Sequence, residues 1–206
     1  MKRILFLIAA VLGVVSLAFK PLEDEKYPTI ELGTTIPMKD YKMLDVAGSK
    51  LSLAEIKKQK GTLVIFSCNT CPFVLEWEDR YDDIMAIANR VGVGVALVNS
   101  NEAKRDNADS YEAMQSHAKE QAYSAPYLLD ENSALANAFG AKTTPHVFLF
   151  DSSDKLVYLG AIDDNSKDAS QVKEKYLFDA LYALNTGSEI KIAKSNAKGC
   201  SIKRLN

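Results

Sequence analysis

Two cysteines separated by two residues are the strongest chemical signal in this 206-residue sequence, which reads Cys68-Asn69-Thr70-Cys71. This spacing lets both sulfurs meet across one turn of backbone, within reach of a disulfide bond. If a helix begins at Cys68, its sulfur faces unpaired backbone N–H groups, which stabilise a thiolate. Cys71 is then placed to attack a mixed disulfide formed at Cys68. The pair therefore predicts thiol–disulfide exchange, with Cys68 as the nucleophile and Cys71 as the resolving thiol.

Two other uses of the pair are weighed against this one. A purely structural disulfide would close such a short ring that it would constrain the unfolded chain little. Half of a zinc site would need a second cysteine pair or histidines at ligand spacing, and His117 and His146 do not have that spacing. We therefore expect no metal site and no bound cofactor beyond the dithiol itself.

The surrounding residues predict an α/β fold, with a central mixed sheet flanked by helices in one domain. Residues 62–66 form a continuous β-branched and aromatic run, which predicts a strand buried on both faces and ending just before Cys68. Apolar side chains then recur at steps of four and three over residues 73–91, which predicts one long helix with Pro72 in its first turn. The same reasoning predicts strands at 42–46, 93–98, 127–129, 146–151 and 156–160, helices at 51–58, 111–121, 132–139 and 172–184, and a polar loop at 99–110.

Several motifs carry a resemblance to a known family. Residues 62–186 resemble the thioredoxin superfamily, in particular its exported TlpA/ResA-like members and a redoxin (AhpC/TSA-like) subgroup. The motifs behind this resemblance are Cys68-Asn69-Thr70-Cys71-Pro72-Phe73-Val74 and the C-terminal Gly199-Cys200-Ser201-Ile202-Lys203. The resemblance implies a thioredoxin-like fold, with inserted elements around residues 111–139. It also implies an oxidoreductase that acts on protein thiols and disulfides and is recharged by a redox partner.

A second feature of the family is a loop with a cis proline. Thr144-Pro145 opens a predicted strand after a predicted helix, and this dipeptide resembles that loop. In the family the loop lies against the cysteine pair, and the residue before the proline docks substrate through a strand-like backbone contact. The resemblance therefore implies that Thr144 and Pro145 are substrate-docking residues.

The sequence also departs from the family. The buried acid of thioredoxin maps to Thr62, and the glutamate of TlpA/ResA-like proteins maps to Val74. A proton acceptor for Cys71 must therefore come from elsewhere, and Glu76, Glu78 and water are the candidates. The sequence leaves open whether the pair reduces or oxidises its substrates.

Two related activities remain as alternatives. Peroxiredoxins carry Thr or Ser three residues before the peroxidatic cysteine and Pro seven residues before it, whereas Ile65 and Gly61 occupy these positions relative to Cys68. This difference disfavours a thiol peroxidase. A Sco-like copper-binding chaperone has three residues between its cysteines and a distant histidine. Here two residues separate the cysteines, and His146 is the histidine that keeps this alternative open.

Three further residues could modify the chemistry. Cys200 lies beyond the last predicted helix and is left over once Cys68 and Cys71 pair, so it is a candidate third redox thiol or a tail cysteine with no role in turnover. Asp163 and Asp164 end the second strand of the predicted hairpin, on the sheet edge that carries Cys68. They are candidates either to raise the pKa of Cys68 or to form an ordinary turn and helix cap.

The first eighteen residues differ from the rest of the chain. Lys2 and Arg3 precede an apolar stretch of about sixteen residues, shorter than the roughly twenty that span a bilayer. Small residues follow at Ser16 and Ala18. We expect residues 1–18 to be a cleaved secretory signal that places the protein outside the cytoplasm, periplasmic or secreted, where disulfides form. The alternative is that residues 1–18 stay in place as an uncleaved N-terminal anchor. Apart from such an anchor, we expect no contact with a membrane.

The remaining chain divides into three parts. Residues 19–40 are polar and contain three prolines, which predicts an extended leader. Residues 41–186 form the expected domain, and residues 187–206 form a tail that carries Cys200. The formal net charge of −2, with no basic stripe, argues against a nucleic-acid partner. The sequence does not determine the oligomeric state.

Overall fold

The computed structural model describes residues 26–205. The predicted signal at residues 1–18 and the first part of the predicted leader lie outside the described residues. Within the described range, no helix is both long enough and apolar enough to cross a bilayer.

The strands confirm the predicted α/β fold. A mixed seven-stranded sheet in the described residues has the order β2-β1-β5-β4-β3-β7-β8, and β6 and β9 form a separate two-stranded sheet. β3 runs parallel to β4 and antiparallel to β7. The strands are β1 Met43–Asp45, β2 Lys50–Leu51, β3 Gly61–Ser67, β4 Val93–Asn99, β5 Tyr127–Leu129, β6 Thr143–Thr144, β7 His146–Asp151, β8 Leu156–Gly160 and β9 Cys200–Ser201.

Strand β3 is buried along its whole length, as its apolar run predicts. Side chains alternate between the two faces of a strand, so Leu63 and Ile65 enter one apolar core while Val64 and Phe66 enter the other. Each fully buried side chain of this size stabilises the fold by about 1.5–3 kcal/mol. These two cores hold the C-terminal end of β3 in place, and the cysteine pair follows directly from it.

The helices cover both faces of the sheet, and they differ from the sequence expectation in one place that matters for the site. The predicted long helix is interrupted by a 3₁₀ turn at Glu78–Arg80. The buried Arg80 guanidinium donates to the Glu76 carbonyl and to the Ser166 carbonyl, so it joins this turn to the loop after β8. The helices are α1 Leu53–Ile56, α2 Pro72–Trp77, α3 Tyr81–Val91, α4 Tyr111–Glu120, α5 Ala134–Phe139 and α6 Tyr176–Thr186.

Two helix boundaries show how turns and side chains set the ends. α5 stops at Gly140, as predicted, because that residue takes a left-handed conformation with φ of 59°. α6 begins at Tyr176, four residues later than predicted. Asp164 explains this difference, because its carboxylate accepts the Lys173 N–H and its N–H donates to the Glu174 carbonyl, which holds residues 173–174 outside the helix.

The segments on either side of the predicted domain pack against it. In the leader, the Ile30 N–H donates to the Phe139 carbonyl at 3.1 Å, and Ile36 is buried. In the tail, Ser195 donates its N–H to the Leu159 carbonyl at 3.0 Å, which places this part of the tail alongside β8. The tail then crosses to the cysteine pair and forms β9.

Candidate active site

The cysteine pair lies at the C-terminal end of β3, buried against the loop that contains Thr144. The side chains of Cys68 and Cys71 are 2% and 4% exposed, and both cysteines are unpaired thiols. The sulfur of Cys68 lies 3.3 Å from Oγ1 of Thr144. The sulfur of Cys71 lies 3.1 Å from the backbone carbonyl oxygen of Thr144. Thr144 therefore contacts both sulfurs, one through its side chain and one through its backbone.

The Thr144–Pro145 peptide bond is cis, as the sequence predicts. Thr144 is also part of β6, where it pairs with Cys200 of β9 in antiparallel register. The docking expectation for Thr144 and Pro145 is therefore altered by the structure. The strand edge that the resemblance reserves for a substrate is occupied by this chain's own residues Cys200 and Ser201.

The helix that follows the pair begins later than the sequence analysis assumes. α2 starts at Pro72 with Cys71 as its N-cap, so Cys68 does not lie at the helix N-terminus. A proline disfavours helical backbone at the residue before it, and Cys71 accordingly has extended backbone, with φ of −72° and ψ of 122°. The backbone N–H of Val74 in this helix lowers the pKa of Cys71. The stabilisation of a thiolate by helix N–H groups, which the sequence predicts for Cys68, therefore acts at Cys71.

Cys200 brings a third sulfur to the site. Cys200 packs against the buried cluster that contains Cys68 and Cys71. Both Cys68 and Cys200 lower the pKa of Cys71, which places Cys71 in the middle of a row of three sulfurs. Cys200 is partly exposed, whereas the other two sulfurs are buried. The structure thus places the candidate third thiol against the pair.

Hydrogen bonding within the row places the negative charge on the central sulfur. The pKa of Cys71 is lowered to about 4, chiefly by the hydrogen bond from the Cys68 thiol and further by the one from Cys200. The pKa of Cys68 is raised by its hydrogen bond to Cys71 and by burial. The pKa of Cys200 is raised by burial and by its contact with Cys71. Of the three sulfurs, Cys71 is thus the one whose charged form the surroundings favour.

A buried carboxylate that the sequence analysis did not single out holds the backbone next to Cys68. The Asp109 side chain accepts the Asn69 N–H at 3.0 Å and the side-chain amides of Asn99 and Asn101 at 2.7 and 3.0 Å. Asp109 is fully buried, and its charge adds to the causes that raise the pKa of Cys68. The signal that could have found it is its place in a polar loop that directly follows the strand beside β3.

The two glutamates proposed as proton acceptors for Cys71 have other partners. Glu78 binds the His117 imidazole and the Tyr123 hydroxyl. Glu76 accepts the Ser166 hydroxyl. Glu78 is thus engaged with α4 and the segment that follows it, and Glu76 with the loop after β8. These partners disfavour both glutamates as the proton acceptor of Cys71 and leave water as the remaining candidate.

The two aspartates at the end of the hairpin also lie in structural contacts. Asp163 accepts the indole N–H of Trp77 at 2.8 Å and lies 3.3 Å from the Arg80 guanidinium. Asp164 holds Lys173, as described above. Asp109 is the acid whose charge is among the causes that raise the pKa of Cys68. The contacts of Asp163 and Asp164 favour the alternative of ordinary turn contacts over modulation of Cys68.

His146 occupies a hydrogen-bonded core position. Its Nδ1 accepts the backbone N–H of Lys142 at 3.2 Å, and its ring packs against Phe148. Burial, with the charge of Lys142, lowers the pKa of His146 to about 4, so the ring is neutral near pH 7. Among residues 26–205, no group of three or more His, Cys, Asp or Glu side chains is arranged to hold a metal ion.

Comparison with known sequences identifies the family. The sequence profile of the Redoxin family matches residues 25–176. The chain belongs to the Redoxin family. Comparison with curated proteins gives no significant match.

Solved structures show a thioredoxin-like fold. An uncharacterized conserved protein from Geobacillus kaustophilus is 31% identical, covers 87% of this chain and 95% of its own, and has a TM-score of 0.80. A thioredoxin domain of a thiol-disulfide oxidoreductase from Bacteroides vulgatus is 17% identical, with coverage of 65% and 90% and a TM-score of 0.55. A peroxidoxin from Mycobacterium tuberculosis is 15% identical, with coverage of 77% and 97% and a TM-score of 0.57. The last two likenesses show the fold alone.

Proposed function

We propose that this redoxin is an extracytoplasmic thiol–disulfide oxidoreductase that acts on protein substrates through the Cys68/Cys71 dithiol. The observation that carries the proposal is the placement of two unpaired cysteines against the cis Thr144–Pro145 loop, where Thr144 contacts both sulfurs. In each turnover the two cysteines give up two electrons and two protons and become a disulfide, while a substrate disulfide becomes two thiols. The reverse reaction oxidises a substrate dithiol.

Two features support protein substrates and an extracytoplasmic location. Pro72 and Leu75 of α2 are exposed next to the pair, Leu75 by 50%, and offer an apolar surface to a protein partner. The cationic and apolar character of residues 1–18 supports export. A second dithiol protein would recharge the site, since the pair must be returned to its starting state after each turnover.

Disulfide reduction tests the activity directly. The wild-type protein, supplied with dithiothreitol, is expected to accelerate the reduction of insulin disulfides, while Cys68→Ser and Cys71→Ser lose the acceleration. Thr70→Ser is a matched control, because Thr70 lies between the cysteines with its side chain exposed. Equal rates for the wild type and the double cysteine variant would overturn the proposal.

The two alternatives predict different results with the same preparations. A thiol peroxidase consumes hydrogen peroxide in the presence of dithiothreitol, through a sulfenic acid, and loses this reaction when the peroxidatic cysteine is replaced. A copper-binding protein takes up Cu(I) stoichiometrically and loses it in the His146→Ala variant. Peroxide turnover or copper binding without insulin reduction would replace the proposed function.

A further inference from the structure

The segment around Cys200 is held against the dithiol from both sides. Before it, Ser195 binds the Leu159 carbonyl, as described above. After it, the Ile202 N–H donates to the Lys142 carbonyl at 3.0 Å, and the Ile202 side chain is buried in the core. The position of Cys200 is therefore fixed by the fold on either side of it.

A glycine allows this segment to approach the Thr144 loop. A Cβ on Gly199 would lie 2.3 Å from the carbonyl oxygen of Thr144, closer than any real contact. A residue with a side chain at position 199 would push β9 away from β6. Gly199 thus lets Cys200 reach the sulfur of Cys71.

Access from solvent differs among the three sulfurs. Cys68 and Cys71 are almost fully buried beneath Thr144 and the tail, while Cys200 is partly exposed. An external disulfide needs a direct approach to the sulfur that it exchanges with. With β9 in place, Cys200 is the sulfur of the row that a substrate can approach, and its inner neighbour is Cys71.

We propose that Cys200 is the thiol through which disulfides enter and leave the Cys68/Cys71 pair, an inference that rests on the exchange activity proposed above. Cys200 passes its proton to the neighbouring sulfur of Cys71, attacks a substrate disulfide as the thiolate, forms a mixed disulfide and releases one substrate thiolate. Cys71 then attacks the sulfur of Cys200 and releases the second substrate thiolate. Cys68 finally attacks Cys71, which leaves a Cys68–Cys71 disulfide and returns Cys200 as a thiolate.

Each step in this sequence exchanges one sulfur–sulfur bond for another, so the electrons balance. Two electrons pass from the buried pair to the substrate, and the two protons of the dithiol pass to the released substrate thiolates. Run backwards, the same steps oxidise a substrate dithiol. Phe73 packs at the same cluster as Cys200, and its backbone N–H favours the Cys200 thiolate with which the reaction sequence begins and ends.

Trapping experiments identify the sulfur that meets the substrate. The reduced Cys71→Ser variant is treated with oxidised glutathione, and the site of the glutathione adduct is located by peptide mass mapping. The proposal expects the adduct at Cys200, because the step that would remove it needs Cys71. An adduct at Cys68, or none at Cys200, would overturn the relay.

A second pair of variants tests the transfer between Cys200 and Cys71. Cys68→Ser, oxidised in the same way, should accumulate a Cys71–Cys200 disulfide. Cys200→Ser should slow exchange with insulin by roughly tenfold or more while keeping the Cys68–Cys71 disulfide. In the matched control, Cys200→Ser combined with Ser201→Cys moves the thiol by one position and should not restore the rate.

The outcomes separate this inference from the proposed function. If the wild type exchanges disulfides and Cys200→Ser does so at the same rate, the relay is wrong and the proposed function stands. If the wild type performs no exchange, the proposed function itself is wrong. Folding of each variant is checked by circular dichroism before its rate is interpreted.

Discussion

The carboxylate of Asp109 accepts the backbone N–H of Asn69 at 3.0 Å and so fixes the residue that follows Cys68. The same carboxylate also accepts two asparagine amides and is completely buried. Buried acceptors satisfied in this way specify a single arrangement of the groups around them. The turn between the two cysteines is thereby tied to the loop that contains Asp109, about forty residues further along the chain. A hydrogen-bond network makes this link, rather than packing in the apolar core.

Removing this charge is the first prediction. In Asp109→Asn, the amide NH₂ replaces one oxygen of the carboxylate that accepts hydrogen bonds from Asn69, Asn99 and Asn101. At least one of these buried donors then lacks an acceptor, so we expect the free energy of unfolding to fall by about 1–3 kcal/mol. The pKa of Cys68, raised mainly by Cys71 and burial, should also fall because a negative charge has been removed. Urea unfolding and thiolate absorbance measure the two effects. Asp106→Asn is the control, since Asp106 is exposed in the same loop, and equal effects of both substitutions would contradict the role given to Asp109.

The second prediction concerns pH. Cys71 ionises near pH 4 in the folded reduced protein and near its ordinary value of 9.0 when unfolded. The folded reduced state therefore gains stability from this group as the pH rises from about 4 to about 9, and loses it as the pH falls back through about 4. Thiolate absorbance should show a transition in the acid range that disappears in Cys71→Ser. Its persistence in that variant would show that another sulfur carries the charge.

The third prediction is that the dithiol is more oxidising than that of thioredoxin. A stabilised thiolate favours the reduced form, so the reduction potential should lie above about −270 mV. Thr144→Val removes the hydroxyl that contacts the pair and should move the potential downwards. Thr143→Val is the matched control on the same strand. Equilibration with glutathione redox buffers measures all three proteins, and a wild-type value at or below that of thioredoxin would contradict the reasoning.

The fourth prediction separates stability from chemistry at the end of the hairpin. Asp163→Ala removes one of the two carboxylates that meet the buried Arg80 guanidinium, the other being Asp79 at 2.8 Å, and should lower the free energy of unfolding by about 1–3 kcal/mol. The rate of disulfide exchange of the folded protein should not change, because Asp163 binds Trp77 and Arg80 rather than the sulfurs. Asp164→Ala, at an exposed position, should change stability by less than about 0.5 kcal/mol. A loss of exchange in folded Asp163→Ala would restore the original expectation for this residue.

The fifth prediction concerns the approach of the tail. Gly199→Ala should separate β9 from β6 and leave Cys200 more open to solvent. Alkylation of Cys200 by iodoacetamide should then be faster, while the Cys71–Cys200 disulfide should form more slowly. Asn196→Ala is the control, because Asn196 is an exposed residue earlier in the tail. Unchanged alkylation in Gly199→Ala would show that the glycine does not position the strand.

The features that were predicted correctly are those that depend on neighbouring residues. The apolar run of β3 and the hairpin of β7 and β8 are local patterns, and both formed as expected. The cis bond at Thr144–Pro145 followed from a motif. Pro72 lies in the first turn of its helix, as predicted. The extended backbone that it imposes on Cys71 is the part that the helix prediction lacks.

The features that were missed depend on contacts between distant parts of the chain. The pairing of Thr144 with Cys200 joins segments that no local pattern links. Asp109 looked like an ordinary loop residue, because nothing in its surroundings in the sequence shows that three donors converge on it. The direction of Glu78 depended on a break in a helix whose apolar spacing predicted continuity.

The antiparallel pairing of Cys200 with Thr144 also has a consequence for the order in which the protein is made. The strand that completes the site is synthesised long after Cys68, Cys71 and the Thr144 loop. A nascent chain therefore carries an uncovered cysteine pair until Cys200 has left the ribosome. Removal of residues 199–203 would alter the reactive centre itself rather than the periphery of the molecule.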